Sequence, residues 1–522
     1  MKSLARTLLF WFLLSTILFE SEAFKVLLVF PFPARSHSIL GEGYVRHLLK
    51  AGHEVTYITP YPMDNSNPNL RQISAADNLN AFNAQPLSLQ TLINKVINIE
   101  QEFHFHNIVM NVTRSTLENP AVLKLLNDSS EQFDVVVAEW MFNEIYSGFA
   151  AVFNCPYIWS FPFEPNFVGL SLIDEATNPA YTANIQLNDI PPFTFSQRAS
   201  SLSFQIMTTI KHMLFYKSAE ESCYQNAFEP IVAKRGRTLP SYYELKHNAS
   251  FMLGYSHVSL GQAIRLPQNY KPIAGYNIDE EVEPLSEDLK YIMDNAKNGV
   301  IYFSLGSNMK SKDLSDEIKQ ILLKVFSELK QVVVWKFEEE LPNKPKNVHI
   351  FKWAPQQSIL AHPNCVLFIT HGGLLSITEA VHFGVPFIGI PVYFDQHFNV
   401  DNAVSRGIAK KVTFTENVAK NVKEAIQDIL NNPKYHQRMK EISFTYHNRP
   451  ISPGKELVFW VEHTVRSGGA PLYRSPALDV PWFQKMYLDL LALIVAIIFS
   501  VIYVIRLICV SKCKIQIKKK TL

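Results

Sequence analysis

The sequence predicts an α/β protein of two doubly wound, parallel-sheet domains that face each other across a cleft, followed by one membrane-spanning helix. Three observations predict it. Continuous apolar runs of the kind that form buried parallel strands alternate with amphipathic segments in two separate blocks. An acidic stretch poor in apolar residues, 279–286, with Asp279, Glu280, Glu281, Glu283 and Pro284, divides the blocks as a linker. Near the C-terminus an uncharged apolar run, Leu490 to Ile505, continues past Arg506 through Leu507 to Val510. A length of 522 residues accommodates two or more domains. A net charge of +2, with no basic stripe interleaved with aromatics, gives no reason to expect nucleic acid as a partner.

In chain order, residues 1–23 read as a secretory signal: Lys2 and Arg6 precede the apolar run Leu8 to Phe19, and the small residues Ser21 and Ala23 mark a cleavage site before Phe24. The first domain, 24–280, opens with the strand K-V-L-L-V-F-P. A loop with Pro31, Pro33 and Ser36-His37-Ser38 follows, then a helix over Ile39 to Leu49 ended by Gly52, then the strand H-E-V-T-Y-I-T. The strand F-D-V-V-V-A-E ends at Glu139, and the aromatic-rich segment 160–250 reads as helices and loops lining something apolar.

The second domain, 281–480, starts with the strand G-V-I-Y-F-S-L and a helix from about Asp313 to Leu329. Strands V-V-V-W and V-H-I-F, helix Gln356–Ala361, strand V-L-F-I-T, helix Leu374–Phe383 and strand F-I-G-I-P follow, then a helix near Asn399 and the strand I-A-K-K-V. The span is expected over 487–510, with Trp482 and Tyr487 at one membrane interface. Lys512, Lys514, Lys518, Lys519 and Lys520 beyond it predict a cytosolic tail, 511–522, and a body across the membrane. Lys519-Lys520 near the end resembles a dilysine retrieval signal, so the expected location is the endoplasmic reticulum membrane, single-pass, with the body lumenal. Three glycosylation sequons, at Asn111, Asn127 and Asn248, fall in that body. Five cysteines without a CxxC predict no disulfide framework.

The chemistry concentrates between Trp353 and Gln396, where polar residues stand at the ends of successive strands. His371-Gly372-Gly373 joins a strand to a helix, whose free N–H groups and partial positive charge suit a diphosphate. His371 can add a charge-assisted bond, and Gly306-Ser307, after another strand, can grip the same phosphates. Trp353 offers a face to a base, Gln356 and Glu379 an amide and a carboxylate to ribose hydroxyls, and Asp395 with Gln396 acceptors and donors for a sugar. Each residue alone reads equally as core, cap or surface; the ordered set points to a nucleotide-sugar. In the first domain His37 has the chemistry of a general base near neutral pH. Neither a D-x-D nor an H-E-x-x-H occurs, and His104 with His106 lacks a third ligand nearby, so no metal is expected.

The stretch Trp353 to Gln396 resembles the signature of the UDP-glycosyltransferases of glycosyltransferase family 1. The signal, the S-H-S segment, F-S-L-G-S, the C-terminal span and the dilysine tail extend the resemblance over the whole chain, in the membrane-anchored animal layout and most like insect UDP-glucosyltransferases. The resemblance implies a GT-B fold, with Trp353 stacked on uracil, Gln356 and Glu379 on ribose, Ser307, His371, Gly373 and Ser376 on the diphosphate, and Asp395 and Gln396 on the sugar. Where many members carry Asn after the glycines, this chain has Leu375.

The family pairs its catalytic His with an Asp. Glu139 occupies that position here, Asp134 lies too near the strand start, and Glu144 is a weaker candidate. The implied reaction is in-line displacement of UDP by a deprotonated hydroxyl, inverting an α-linked donor to a β-glycoside, with the UDP-sugar as co-substrate and no cofactor. Phe161, Phe163, Phe193, Phe195, Phe204 and Phe215 are the candidate lining for a small lipophilic acceptor, as in detoxification or in hormone and pigment conjugation. The donor is expected to be UDP-glucose, with UDP-glucuronate as the alternative. A nucleotide-sugar-binding protein with little turnover and a lipid or protein glycosyltransferase are the other readings, and a homo-oligomer is left open.

Overall fold

The computed structural model describes residues 23–83, 99–187, 189–307, 309–392, 394–413, 415 and 417–520, without the side chains of 83, 99–104 and 512–520. The expected signal, apart from its last residue, and the lysine side chains of the expected tail lie outside the described residues. Two units emerge, one through Arg474 and one from Ser475 onward.

The first unit holds two sheets. One contains β1 (Lys25–Val29), β2 (Glu54–Thr59), β3 (Leu70–Ser74), β4 (Val135–Glu139), β5 (Tyr157–Phe161), β6 (Phe251–Gly254) and β7 (Tyr270–Pro272), in the order β3-β2-β1-β4-β5-β6-β7. The other contains β8 (Val300–Ser304), β9 (Val332–Lys336), β10 (Val348–Phe351), β11 (Cys365–Thr370), β12 (Phe387–Gly389) and β13 (Ala409–Lys411), in the order β10-β9-β8-β11-β12-β13. The pairings across both are parallel. Helices cover both faces, which is why the strands read as unbroken apolar runs; β4 and β8 are buried at every position. In each sheet the chain runs outward from a central strand and then restarts on that strand's other side. The switch points lie between β1 and β4 and between β8 and β11, and a ligand binds beyond the carboxyl ends of strands at such a point.

The helices that matter here are α1 (Arg35–Lys50), α2 (Phe195–Lys211), α3 (Gln356–Ala361), α4 (Leu374–Phe383), α5 (Gln396–Ser405), α6 (Pro453–Arg466) and α7 (Leu488–Lys520). Two differ from expectation. α1 starts four residues before Ile39, so His37 stands in its first turn and not in a loop. Pro33 restrains the residue before it, not those after, and Ala34, extended at φ −114°, serves as N-cap without a side-chain bond. The helix expected from Asp313 becomes a 3-10 turn, Ser311–Asp313, and a helix over Asp316–Ser327, because the Ser315 hydroxyl accepts from Ile318 N and sets the start.

α6 returns to the first sheet although it comes late in the chain. Trp460 packs on Phe251 of β6 at 4.9 Å between ring centroids, Lys271 Nζ lies 3.9 Å above the same indole, and Glu462 meets His53 at 3.2 Å.

The second unit contains a 3-10 turn, Pro476–Asp479, a short helix, Trp482–Lys485, and α7. Within α7, Leu488–Ser511 is long and apolar enough to cross a membrane, with a mean hydropathy of 2.9. The helix continues to Lys520 instead of ending where the tail was expected.

Candidate active site

The two switch points carry the predicted residues. On the first sheet, the first turn of α1 after β1 presents His37 and the last residue of β4 is Glu139. His37 Nδ1 lies 2.5 Å from Glu139 Oε1. Glu139 is 1% exposed and His37 13%, and Phe32 packs beside the imidazole at 4.9 Å. The carboxylate accepts from Nδ1–H and fixes the ring, which leaves Nε2 as the basic nitrogen. The other acids do different work. Asp134 accepts from Lys25 N at 2.7 Å, tying β1 to the start of β4. Glu144 is buried and accepts from Trp140 Nε1 and Lys246 Nζ, which makes it a core staple.

On the second sheet the residues expected at the phosphates converge. Gly306, at φ +87°, follows β8; a side chain there would collide with the His371 ring, and so would one on Gly373. The imidazole is therefore enclosed between the Gly306-Ser307 turn and the N-cap of α4, which is Gly373. Burial drives His371 down to about 4, with Lys336 adding to the effect, so in the free protein it is neutral and offers an N–H rather than the positive charge expected from the sequence. The cation is Lys336 instead, at the end of β9. Its Nζ donates to Gly306 O at 2.7 Å and lies 5.6 Å from the Trp353 ring centroid. Reading the sequence missed Lys336, because a Lys closing a strand carries no motif.

Trp353 is 62% exposed, an open aromatic face. Below it Gln356 Nε2 donates to Glu379 Oε2 at 2.5 Å and to Ser376 Oγ at 3.2 Å, so the α3 and α4 residues assigned to ribose and phosphate form one network. Gln357, also unforeseen, donates to the other Glu379 oxygen at 3.2 Å. Burial raises Glu379 to about 7. Leu375 packs partly buried against the core.

Asp395 caps α5, is raised by burial, accepts from Asn399 Nδ2 at 2.7 Å, and lies within electrostatic reach of His37 on the other sheet. Gln396 turns its side-chain oxygen to Val392 N at 2.9 Å, bracing the loop that carries Asp395. Phe394, in the left-handed region at φ +59°, reaches into a ring cluster of the first sheet. Its centroid is 5.5 Å from Phe142, itself at φ +55°, 5.3 Å from Phe105 and 6.1 Å from Phe163. These rings form one apolar wall. Of the six phenylalanines expected to line an acceptor, Phe161 and Phe163 are buried beside it. Phe193 packs with Ala183, Ile185 and Phe398, and Phe204 against Phe167. Phe195, 79% exposed, and Phe215, 57% exposed, turn outward instead of lining a pocket. They lie on a helix whose outer face is apolar, a case the bare composition of the segment cannot separate from a lined pocket. Among the described residues no cluster of three or more metal-ligating side chains occurs.

Two facing sheets, with the residues expected at the nucleotide on one and a His-carboxylate pair on the other, have the architecture of a GT-B glycosyltransferase. Solved structures agree on the fold: CalG4, the calicheamicin glycosyltransferase, matches with a TM-score of 0.54 at 15% identity, over 85% of this chain and 99% of its own. The family model for UDP-glucoronosyl and UDP-glucosyl transferase matches residues 25–521, and the chain belongs to that family. Among its relatives in Dactylopius coccus, UDP-glycosyltransferase UGT5 is 32% identical over 95% of this chain and 94% of its own. UDP-glucosyltransferase 2 is 30% identical over 95% of both. The protein is thus an enzyme that transfers a hexose from a UDP-sugar.

Proposed function

We propose that it transfers glucose from UDP-glucose to a hydroxyl of a small lipophilic acceptor, with inversion, on the lumenal side of the endoplasmic reticulum membrane. The observation that carries the mechanism is the 2.5 Å contact between His37 and Glu139. Nε2 takes the acceptor proton as the oxygen attacks the anomeric carbon, and Glu139 stabilises the imidazolium that forms. Negative charge arriving on UDP meets the N-terminus of α4, the His371 N–H and Lys336. Trp353 stacks on the uracil, Gln356 and Glu379 hold ribose, and Ser307, Gly373 and Ser376 hold phosphate. The ring wall around Phe142 and Phe394 supports a flat, apolar acceptor.

A neutral donor sugar is supported by the acids at its end of the cleft. The Phe163–Phe394 contact sets the residues that follow them, Glu164 and Asp395, on facing lobes. Burial, with Asp395 adding, pushes Glu164 to about 8. The nearby cation, Arg406, donates to Val258 O at 2.8 Å. Asp395, expected at the sugar, is bonded to the neutral Asn399 amide rather than to a cation, and Glu164 is held neutral, so a sugar carboxylate would find no counter-charge bonded at that end. The exposed positions of Asn111, Asn127 and Asn248 suit a lumenal, glycosylated body. The test is purified protein given UDP-glucose or UDP-glucuronate with a phenol. β-Glucoside formation that disappears in His37→Ala supports the reading. Preference for UDP-glucuronate overturns the donor, and full turnover in His37→Ala overturns the mechanism.

A further inference from the structure

α2 and the π-helical turn after it, His212–Tyr216, are built inside out. A helix on a protein surface normally turns apolar residues inward and polar ones to solvent. Here Leu202, Ile206, Met207, Ile210, Met213 and Leu214 face outward, each between 41% and 68% exposed. Their spacing of three and four residues makes one continuous stripe, which the π turn widens at its end. The inward face carries Ser201, Gln205, Thr208, Lys211 and His212. Polar bonds hold it to the body: Gln205 Nε2 donates to Thr177 O at 3.1 Å, His212 Nε2 lies 3.0 Å from Glu220 Oε2, and Gln197 Nε2 donates to Asp189 Oδ1 at 3.0 Å. Phe204, against Phe167, is the apolar exception.

We propose that this outer face docks on a lipid bilayer. Three observations favour lipid over a protein partner. The chain carries its own span, Leu488–Ser511, and only the segment 475–487 separates it from the body. That tether extends at most roughly 45 Å, so a bilayer is always within reach. The stretch 190–219 contains Arg198, Lys211 and Lys217 and no Asp or Glu, the composition of a helix that lies in a membrane interface. The stripe is also narrow and convex on a single helix, a shape that sinks into acyl chains more readily than it matches a flat protein face.

The experiment uses the full-length protein in phosphatidylcholine vesicles containing a phosphatidylcholine probe with a photoreactive diazirine in its acyl chain. After irradiation, labelled peptides are mapped by mass spectrometry. The expected result is label in 202–214 as well as in 488–511. A variant with Leu202→Ser, Ile206→Ser, Met213→Ser and Leu214→Ser loses label in the helix at least fivefold and keeps it in the span. UDP binding by this variant, unchanged, shows that it is folded. Label confined to 488–511 in the wild type overturns the proposal whether or not the variant folds. So does cross-linking of 202–214 to a second protein chain without lipid.

Discussion

The two sheets share one winding order, but they spend their connections differently. In the second, β11 to β12 and β12 to β13 are joined by segments of ordinary length, and the nucleotide-side residues follow one another from Trp353 to Gln396. In the first, about ninety residues separate β5 from β6, and a long excursion also separates β3 from β4. The half with tight connections is suited to hold a constant ligand. The half with long insertions is suited to vary what it accepts. On the proposed function, one topology thus combines a nucleotide grip on short connections with an acceptor side built from long ones.

The largest expected effect separates the halves outright. His37→Ala lowers kcat by about 10³-fold, within the range for loss of a general base, while UDP binding, measured by calorimetry, stays as in wild type. Glu139→Gln follows at about 10²-fold because Nδ1 loses its charged partner; Glu139→Asp, which keeps the charge on a shorter arm, loses less than Glu139→Gln. The mirror result belongs to the second half. Trp353→Ala raises the KM for donor by roughly 10- to 100-fold, the worth of one stacked base, and leaves the acceptor KM alone.

A smaller effect comes from pH. Glu379 sits at about 7 in the free protein, above its unfolded value, so it is protonated below that pH. Ribose hydroxyls need the ionised form as acceptor. UDP affinity therefore weakens as pH falls below about 7, by at most about tenfold per unit, and Glu379→Gln removes that slope in a titration series. Stability of the free protein runs the other way. The neutral acid is the form burial favours, so its contribution is complete below the unfolded value and is lost as pH rises through about 7; melting temperatures read at pH 5 and 8 check it.

The six strands of the second sheet and β1, β2 and β4 of the first were legible because parallel strands buried on two faces must be apolar throughout, as in V-I-Y-F-S and V-V-V-A-E; β3, β5, β6 and β7 were not, being short or polar at alternate positions, or set among aromatic-rich segments that carry no strand period. The residues from Trp353 to Gln396 could be read as one group because short connections keep them nearly contiguous, and Gln356, Ser376 and Glu379 do share one hydrogen-bond network. The pairing of His37 with Glu139, 102 positions apart, could be named only by resemblance, since nothing local in the sequence says that β1 and β4 are neighbours. Lys336, Phe142 and Phe394 were not legible at all. Their roles depend on which rings and charges the fold sets opposite them. The outward turn of Phe195 and Phe215 was hidden for a related reason: aromatic content signals burial, but not against what.

The return of α6 to the first sheet has a consequence for biosynthesis. Phe251 and its neighbours on β6 stay uncovered until Trp460 is made, more than two hundred residues later. The N-terminal lobe is therefore the first to emerge from the ribosome and the last to close. A premature stop anywhere before residue 453 leaves that lobe with a sticky flank and marks the nascent chain for chaperones.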